Sequence, residues 1–148
     1  MTTPIHTERI KESKIKDLDF NDIPLGRTFT DHMFICAFEN GAWQVPKIIP
    51  MGLIPTHPAA MALHYGQAIF EGMKATLDTH GTPMLFRPEQ NAKRLNFSAR
   101  RLGMPEFPEQ LFVDALKTLV DLDKKWIPPQ QGSALYLRPF MYADEAFI

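Results

Sequence analysis

The chain has 148 residues, of which 45% are hydrophobic and 22% charged, with a net charge of -1 and a pI near 6.5. This is enough apolar material for one sizeable core, and it leaves no whole-chain attraction to nucleic acid or to an anionic membrane. No run of about eighteen apolar residues appears, and the polar start Met1 to Asp22 lacks the apolar stretch of a signal peptide, so a cytoplasmic protein is expected.

In chain order, Glu8 to Lys16 alternates charges with few apolar anchors, which suits a short helix or a mobile N-terminal arm over residues 1–22. Asp31 to Phe38, the turn signal Glu39-Asn40-Gly41 and the apolar stretch Trp43 to Ile49 predict a hairpin, with Pro46 marking an edge or a bulge. Pro50 to Pro58 reads as a connection. His64 to Ala75 then packs tyrosine, phenylalanine, glutamate, glycine and lysine into one short stretch, consistent with a buried strand whose Gly72 admits a close neighbour. Gly72 to Leu77, the turn Asp78 to Gly81 and Met84-Leu85-Phe86 predict a second hairpin.

The period changes after Pro88. Ala92, Leu95, Ala99 and Leu102 recur three or four apart and predict a helix stopped by Gly103. A second helix is expected from Pro108 to about Trp126, with Phe112, Ala115, Leu119 and Leu122 on one face. Ser133 to Ala143 returns to a strand pattern. Strands and helices are segregated rather than alternating, so the expected fold class is α+β: an antiparallel sheet with two main helices, in one domain over residues 23–148.

The residues alone are sparing about chemistry. Cys36, the only cysteine, excludes an internal disulfide and sits in an apolar run that suits a small buried hydrophobe better than a nucleophile. His6, His32, His57, His64 and His80 lack the close pairing of a metal site, so no metal is expected. Arg94 flanks the apolar stripe of the first predicted helix, where its planar fork suits a phosphate; the simpler reading is a solvated basic face shared with Arg87, Lys93, Arg100 and Arg101. Tyr136 and Arg138, two apart on a predicted strand, project to one face, where they suit either a carboxylate or a surface ion pair. Lys74 is better read as a surface strand lysine than as a nucleophile.

Four stretches in order carry a resemblance: Phe29 to Met33; Leu63 to Ala75, with Phe70-Glu71-Gly72-Met73-Lys74-Ala75 at its end; Phe86-Arg87-Pro88 leading to Arg94; and Leu135-Tyr136-Leu137-Arg138-Pro139. Together they resemble the branched-chain amino acid aminotransferases, pyridoxal-phosphate enzymes of the D-amino acid aminotransferase-like fold. The resemblance implies that Arg94 grips the cofactor phosphate. It also implies that Phe29, Tyr65 and Phe70 wall the pocket for a branched side chain, Tyr65 being lent to a neighbouring subunit. Tyr136 is implied near the substrate α-carboxylate, and Arg138 at the distal carboxylate of glutamate or 2-oxoglutarate. The implied partners are branched-chain amino acids, their 2-oxo acids and a second copy of the chain, in a biosynthetic setting, as homodimer or larger.

The family's Schiff-base lysine lies in a second domain and nothing before Ile148 resembles its surroundings. The expectation is therefore an N-terminal small domain with no catalytic residue of its own, inactive alone. The alternative is a non-catalytic module that associates with itself or with a partner.

Overall fold

The computed structural model describes residues 4–24 and 26–147. Residues 1–3 of the expected arm and Ile148 at the end of the expected domain lie outside the described residues. The strands are β1 (His6–Thr7), β2 (His32–Ile35), β3 (Phe38–Glu39), β4 (Ala42–Trp43), β5 (Lys47–Pro50), β6 (Ala68–Phe70), β7 (Met73–Leu77), β8 (Pro83–Leu85), β9 (Leu135–Leu137) and β10 (Phe140–Tyr142). The helices are α1 (Met61–Tyr65), α2 (Pro88–Arg101) and α3 (Glu109–Leu122), with short 3-10 turns at Lys14–Asp17 and Lys124–Trp126. The α+β expectation holds: two long helices cover antiparallel ribbons, and β1 on β5 is the parallel pairing.

The first expected hairpin forms in two steps. β2 pairs with β5 (Phe34 opposite Ile48), and the tip β3–β4 turns through Asn40 and Gly41, both at positive φ (53° and 78°), the backbone that a tight two-residue turn demands. Pro46 lies in the interruption between β4 and β5, as a bulge residue would, but it is buried, and its carbonyl accepts the His6 amide at 2.9 Å.

That contact corrects the reading of the N-terminal segment as a mobile arm. β1 adds to β5, the Ile10 amide donates to Nε2 of buried His32 at 3.1 Å, and Asp31 accepts from the Ser13 hydroxyl (2.5 Å), the Lys14 amide (3.0 Å) and the Trp126 indole (2.8 Å). Apolar spacing gave no sign of this because polar groups do the fastening. The helix expected within Glu8 to Lys16 is only the 3-10 turn at Lys14–Asp17, capped by the Ser13 side chain.

α2 buries Ala92, Leu95 and Ala99 as the spacing predicts. Leu102 is half-exposed instead, because it caps the helix and the chain turns away at Gly103 (φ 64°). α3 stops at Leu122 rather than near Trp126. Asp123 is drawn into the core, where its carboxylate takes the His32 amide (3.0 Å) and His32 Nδ1 (2.6 Å), so the chain tightens into a 3-10 turn that buries Trp126.

The last expected strand is two strands around a corner at Arg138-Pro139. β9 pairs with β7 and β10 with β6, and the ladder keeps one register through the corner: Phe70 faces Phe140, the Glu71 amide donates to the Pro139 carbonyl at 2.7 Å, and Met73 faces Leu137. Ile69, Glu71, Met73, Ala75 and Leu137 turn inward beneath α2 and α3, and Phe70, Gly72, Lys74, Tyr136, Arg138 and Phe140 turn outward. No helix among the described residues is long and apolar enough to cross a membrane.

Candidate functional site

Strict alternation along the kinked ribbon puts aromatic and cationic side chains on its open face. The Arg138 guanidinium lies 4.3 Å from the centre of the Phe70 ring and 5.1 Å from that of Tyr136, and its Nη2 donates to the Tyr136 hydroxyl at 2.7 Å. No carboxylate pairs with Arg138 among the described residues. Its fork therefore keeps donors for an outside anion, while the ring faces hold it in place. The Tyr136 oxygen accepts from Arg138, which leaves its own proton to donate outward.

Gly72 makes this arrangement possible. A Cβ built there would meet the Tyr136 hydroxyl at 2.5 Å, a separation no side chain tolerates. The close neighbour that Gly72 admits is thus a side chain of the same ribbon.

Arg94 approaches from the other side of the ribbon, on α2. Its Nε and Nη2 donate to the two oxygens of Glu71 at 2.8 and 2.6 Å, and Asn91 adds a third bond to the same carboxylate at 2.8 Å. The carboxylate is buried, with 3% of its side chain exposed, whereas the Arg94 side chain is 66% exposed. Burial pushes the Glu71 carboxyl up, but the bonds from Arg94 and Asn91 and the Arg94 charge outweigh it and hold the group below its ordinary value; the bond to Glu71 and its negative charge raise Arg94 in turn. Of the five guanidinium N–H donors, Glu71 takes two, and the remainder fit the oxygens of a phosphate monoester.

Sequence reasoning assigned no role to Glu71. The signal was present: between Ile69 and Met73 it occupies a core-facing position of the alternation, and a buried carboxylate requires a donor partner. Phe29 and Tyr65 are not joined to this group. Phe29 (61% exposed) precedes β2, and Tyr65 (62% exposed) ends α1 with its ring 6.4 Å from that of His64. No hydrogen bond or ring contact links either to Phe70, Tyr136 or Arg138 among the described residues. Lys74 is exposed beside Tyr136 on the open face. Cys36 is half-buried; burial pushes its thiol up and the sulfur donates to the Gln44 carbonyl at 3.3 Å, which fits a packing role. Among the described residues no group of three or more His, Cys, Asp and Glu is placed to hold a metal.

A small α+β domain with two long helices on antiparallel strands places this chain in the D-amino acid aminotransferase-like fold class. A solved structure of a T.th. branched-chain amino acid aminotransferase with pyridoxamine 5'-phosphate superposes with a TM-score of 0.55 and 26% identity, over 78% of this chain and 33% of that one. In sequence, the chain is 44% identical over 128 residues to the branched-chain-amino-acid transaminase 1 of Bacillus subtilis, covering 86% of this chain and 36% of the relative. It is 44% identical over 141 residues to the branched-chain-amino-acid aminotransferase of Mycolicibacterium smegmatis, covering 94% of this chain and 37% of the relative. No family model matches. The chain belongs to the branched-chain amino acid aminotransferase family, and it spans little more than a third of the length of these two curated relatives.

Proposed function

We propose that residues 23–148 are the small N-terminal domain, and residues 1–22 its N-terminal segment, of a pyridoxal-phosphate-dependent enzyme that moves the amino group of leucine, isoleucine or valine to 2-oxoglutarate. The observation that carries this reading is Arg138 held between the Phe70 ring and the Tyr136 hydroxyl with no carboxylate partner of its own among the described residues. One pocket must accept an aliphatic side chain in one half-reaction and a carboxylate in the other. Ring faces serve the first and a guanidinium at their edge serves the second.

In this reading Arg94 holds the cofactor phosphate through the donors that Glu71 leaves unused. Pyridoxal phosphate, when bound, supplies the electron sink for amino-group transfer. Phe70 walls the side-chain pocket, Tyr136 donates its proton toward the substrate α-carboxylate, and Arg138 receives the distal carboxylate of glutamate or 2-oxoglutarate. Phe29, like Tyr65 not joined to the ribbon group, is assigned to the apolar wall by the family resemblance, and Tyr65 serves the neighbouring subunit of a homodimer or larger assembly in the cytoplasm. No residue of this chain is assigned to proton transfer at the substrate α-carbon, so the chain by itself is expected to turn over no leucine.

The test is Arg138→Ala in the enzyme translated from the full reading frame, with single-turnover rates measured separately for leucine and glutamate. The glutamate step should fall by about tenfold to hundredfold, the worth of a charge-assisted hydrogen bond, with the leucine step little changed. Equal losses would leave Arg138 a supporting role only. The alternative, a non-catalytic module, would instead give a purified protein without pyridoxal phosphate absorbance or transamination that associates with itself or with a partner.

A further inference from the structure

We infer that Glu71 is the positioning residue for the phosphate-binding arginine: it fixes the Nε–Nη2 edge of Arg94 so that the Nη1–Nη2 end of the fork is presented to a phosphate monoester. The inference rests on the reading of Arg94 given above and adds a residue to it.

An arginine on an exposed helix face samples many rotamers, and any anion that binds it must first stop that motion. Here the motion is stopped in advance. Glu71 takes Nε (2.8 Å) and Nη2 (2.6 Å) with separate oxygens, which fixes the guanidinium plane as well as its position. The carboxylate is itself immobile: it is 3% exposed, receives Asn91 at 2.8 Å, and its backbone amide is bonded to Pro139 at the corner of the ladder. The donors that remain include one hydrogen on each terminal nitrogen, a parallel pair matched to two oxygens of one phosphate. The corner that seats Glu71 also sets Phe70 and Gly72 on the opposite face, so the phosphate contact and the Arg138 group are referenced to the same two peptide units.

Two effects of opposite sign compete at this carboxylate. Its negative charge repels a phosphate, so neutralising it would tighten binding if charge alone mattered; loss of orientation would weaken binding. The distances favour orientation, because both bonds are charge-assisted and one partner is buried.

The experiment uses the 148-residue chain, labelled for observation of arginine side-chain N–H signals by NMR and titrated with inorganic phosphate. In the unaltered chain the Arg94 Nε–H should be protected from exchange, and its terminal nitrogens should respond to phosphate. Glu71→Gln should speed Nε–H exchange by about tenfold and weaken phosphate binding by about fivefold in spite of the removed charge. Asn91→Ala, which leaves the carboxylate in place and touches only the partly buried helix face, should give a loss of about twofold and covers the case in which Glu71→Gln does not fold. Tighter or unchanged phosphate binding in Glu71→Gln, or in Asn91→Ala if that is the variant that folds, with the Nε–H still protected, would overturn the inference. If Arg94→Gln binds phosphate as well as the unaltered chain, it is the assignment of Arg94 itself that fails, whatever Glu71 does.

Discussion

Two polar regions of this molecule invite comparison. In the clasp under the N-terminal segment, Asp31, His32 and Asp123 are all buried, and each donor and acceptor there finds its partner within the chain: Ser13, Lys14, Ile10 and Trp126 close the set. At the kinked ribbon, Arg138 on the ribbon itself and Arg94 on α2 are exposed, held from one side only, and left with donors to spare. A closed set of hydrogen bonds is how a fold is fastened. A set held rigid on one side and open on the other is how a ligand is met.

Breaking the clasp should give the largest effect on stability. Asp31→Ala strands the buried Trp126 N–H and unpins Ser13 and Lys14, and should cost about 3 kcal/mol in urea unfolding, because bonds to a charged acceptor are lost and a donor is left buried without one. Amide exchange over residues 6–14 should rise with it; an unfolding midpoint within error of the parent would mean the clasp contributes nothing.

Acid tests both regions at once. Burial raises the Asp31 carboxyl, but its bonds from Ser13, Lys14 and Trp126 outweigh that and hold it below the usual 3.8; Glu71 is likewise held below 4.5. Groups with depressed folded-state values contribute their full stability above the unfolded values and lose it as pH falls through the folded ones. Stability should therefore be flat above pH 4.5 with respect to these two groups and decline below it. In Asp31→Asn the decline should be shallower, as read by thermal melts across the acid range.

Gly72→Ala sharpens the ribbon side. Its Cβ would drive the Tyr136 hydroxyl, the far end of a half-exposed side chain, away from its place against Arg138, and should cost about 1 kcal/mol, the worth of the hydrogen bond displaced. The two losses should not add in Gly72→Ala combined with Tyr136→Phe, where the offending oxygen is gone; a strictly additive pair would mean that the added Cβ and the hydroxyl do not meet. Arg138→Ala should have the smallest effect on folding, about 0.5–1 kcal/mol, the worth of an exposed cation–ring contact, even though it removes the centre of the candidate site.

How much of this was legible beforehand follows the same division. Ala92, Leu95 and Ala99 of α2, Phe112 and Ala115 of α3 and the pairing of Tyr136 with Arg138 are legible because helical and strand periods repeat within a few residues. Leu119 and Leu122, by contrast, are only partly buried, and Leu111, Leu116 and Val120 add to the buried face of α3. The clasp escaped because it joins groups as far apart as Asp31 and Trp126 through single polar side chains that leave no periodic trace. The Glu71–Arg94 fork escaped for a related reason: the glutamate belongs to the ribbon and the arginine to a helix 23 residues later, and only their meeting distinguishes Arg94 from the basic residues around it. The return strand over residues 133–143 was expected as one piece. Pro139 has no amide to give the ladder, and the chain answers with a corner.

That corner imposes an arithmetic on change within the family. Glu71-Gly72 on one strand and Arg138-Pro139 on the other interrupt the ribbon by equal, even numbers of residues, so inward and outward positions resume in phase on both sides of it. An insertion or deletion of one residue between Leu137 and Phe140 would put the two halves out of phase, and whichever side yielded would carry its outward side chains into the core. Paired changes of two would leave the phase intact while lengthening the gap between Tyr136 and Phe140. A pocket built over this corner is therefore open to gradual substitution but closed to drift by single-residue gaps.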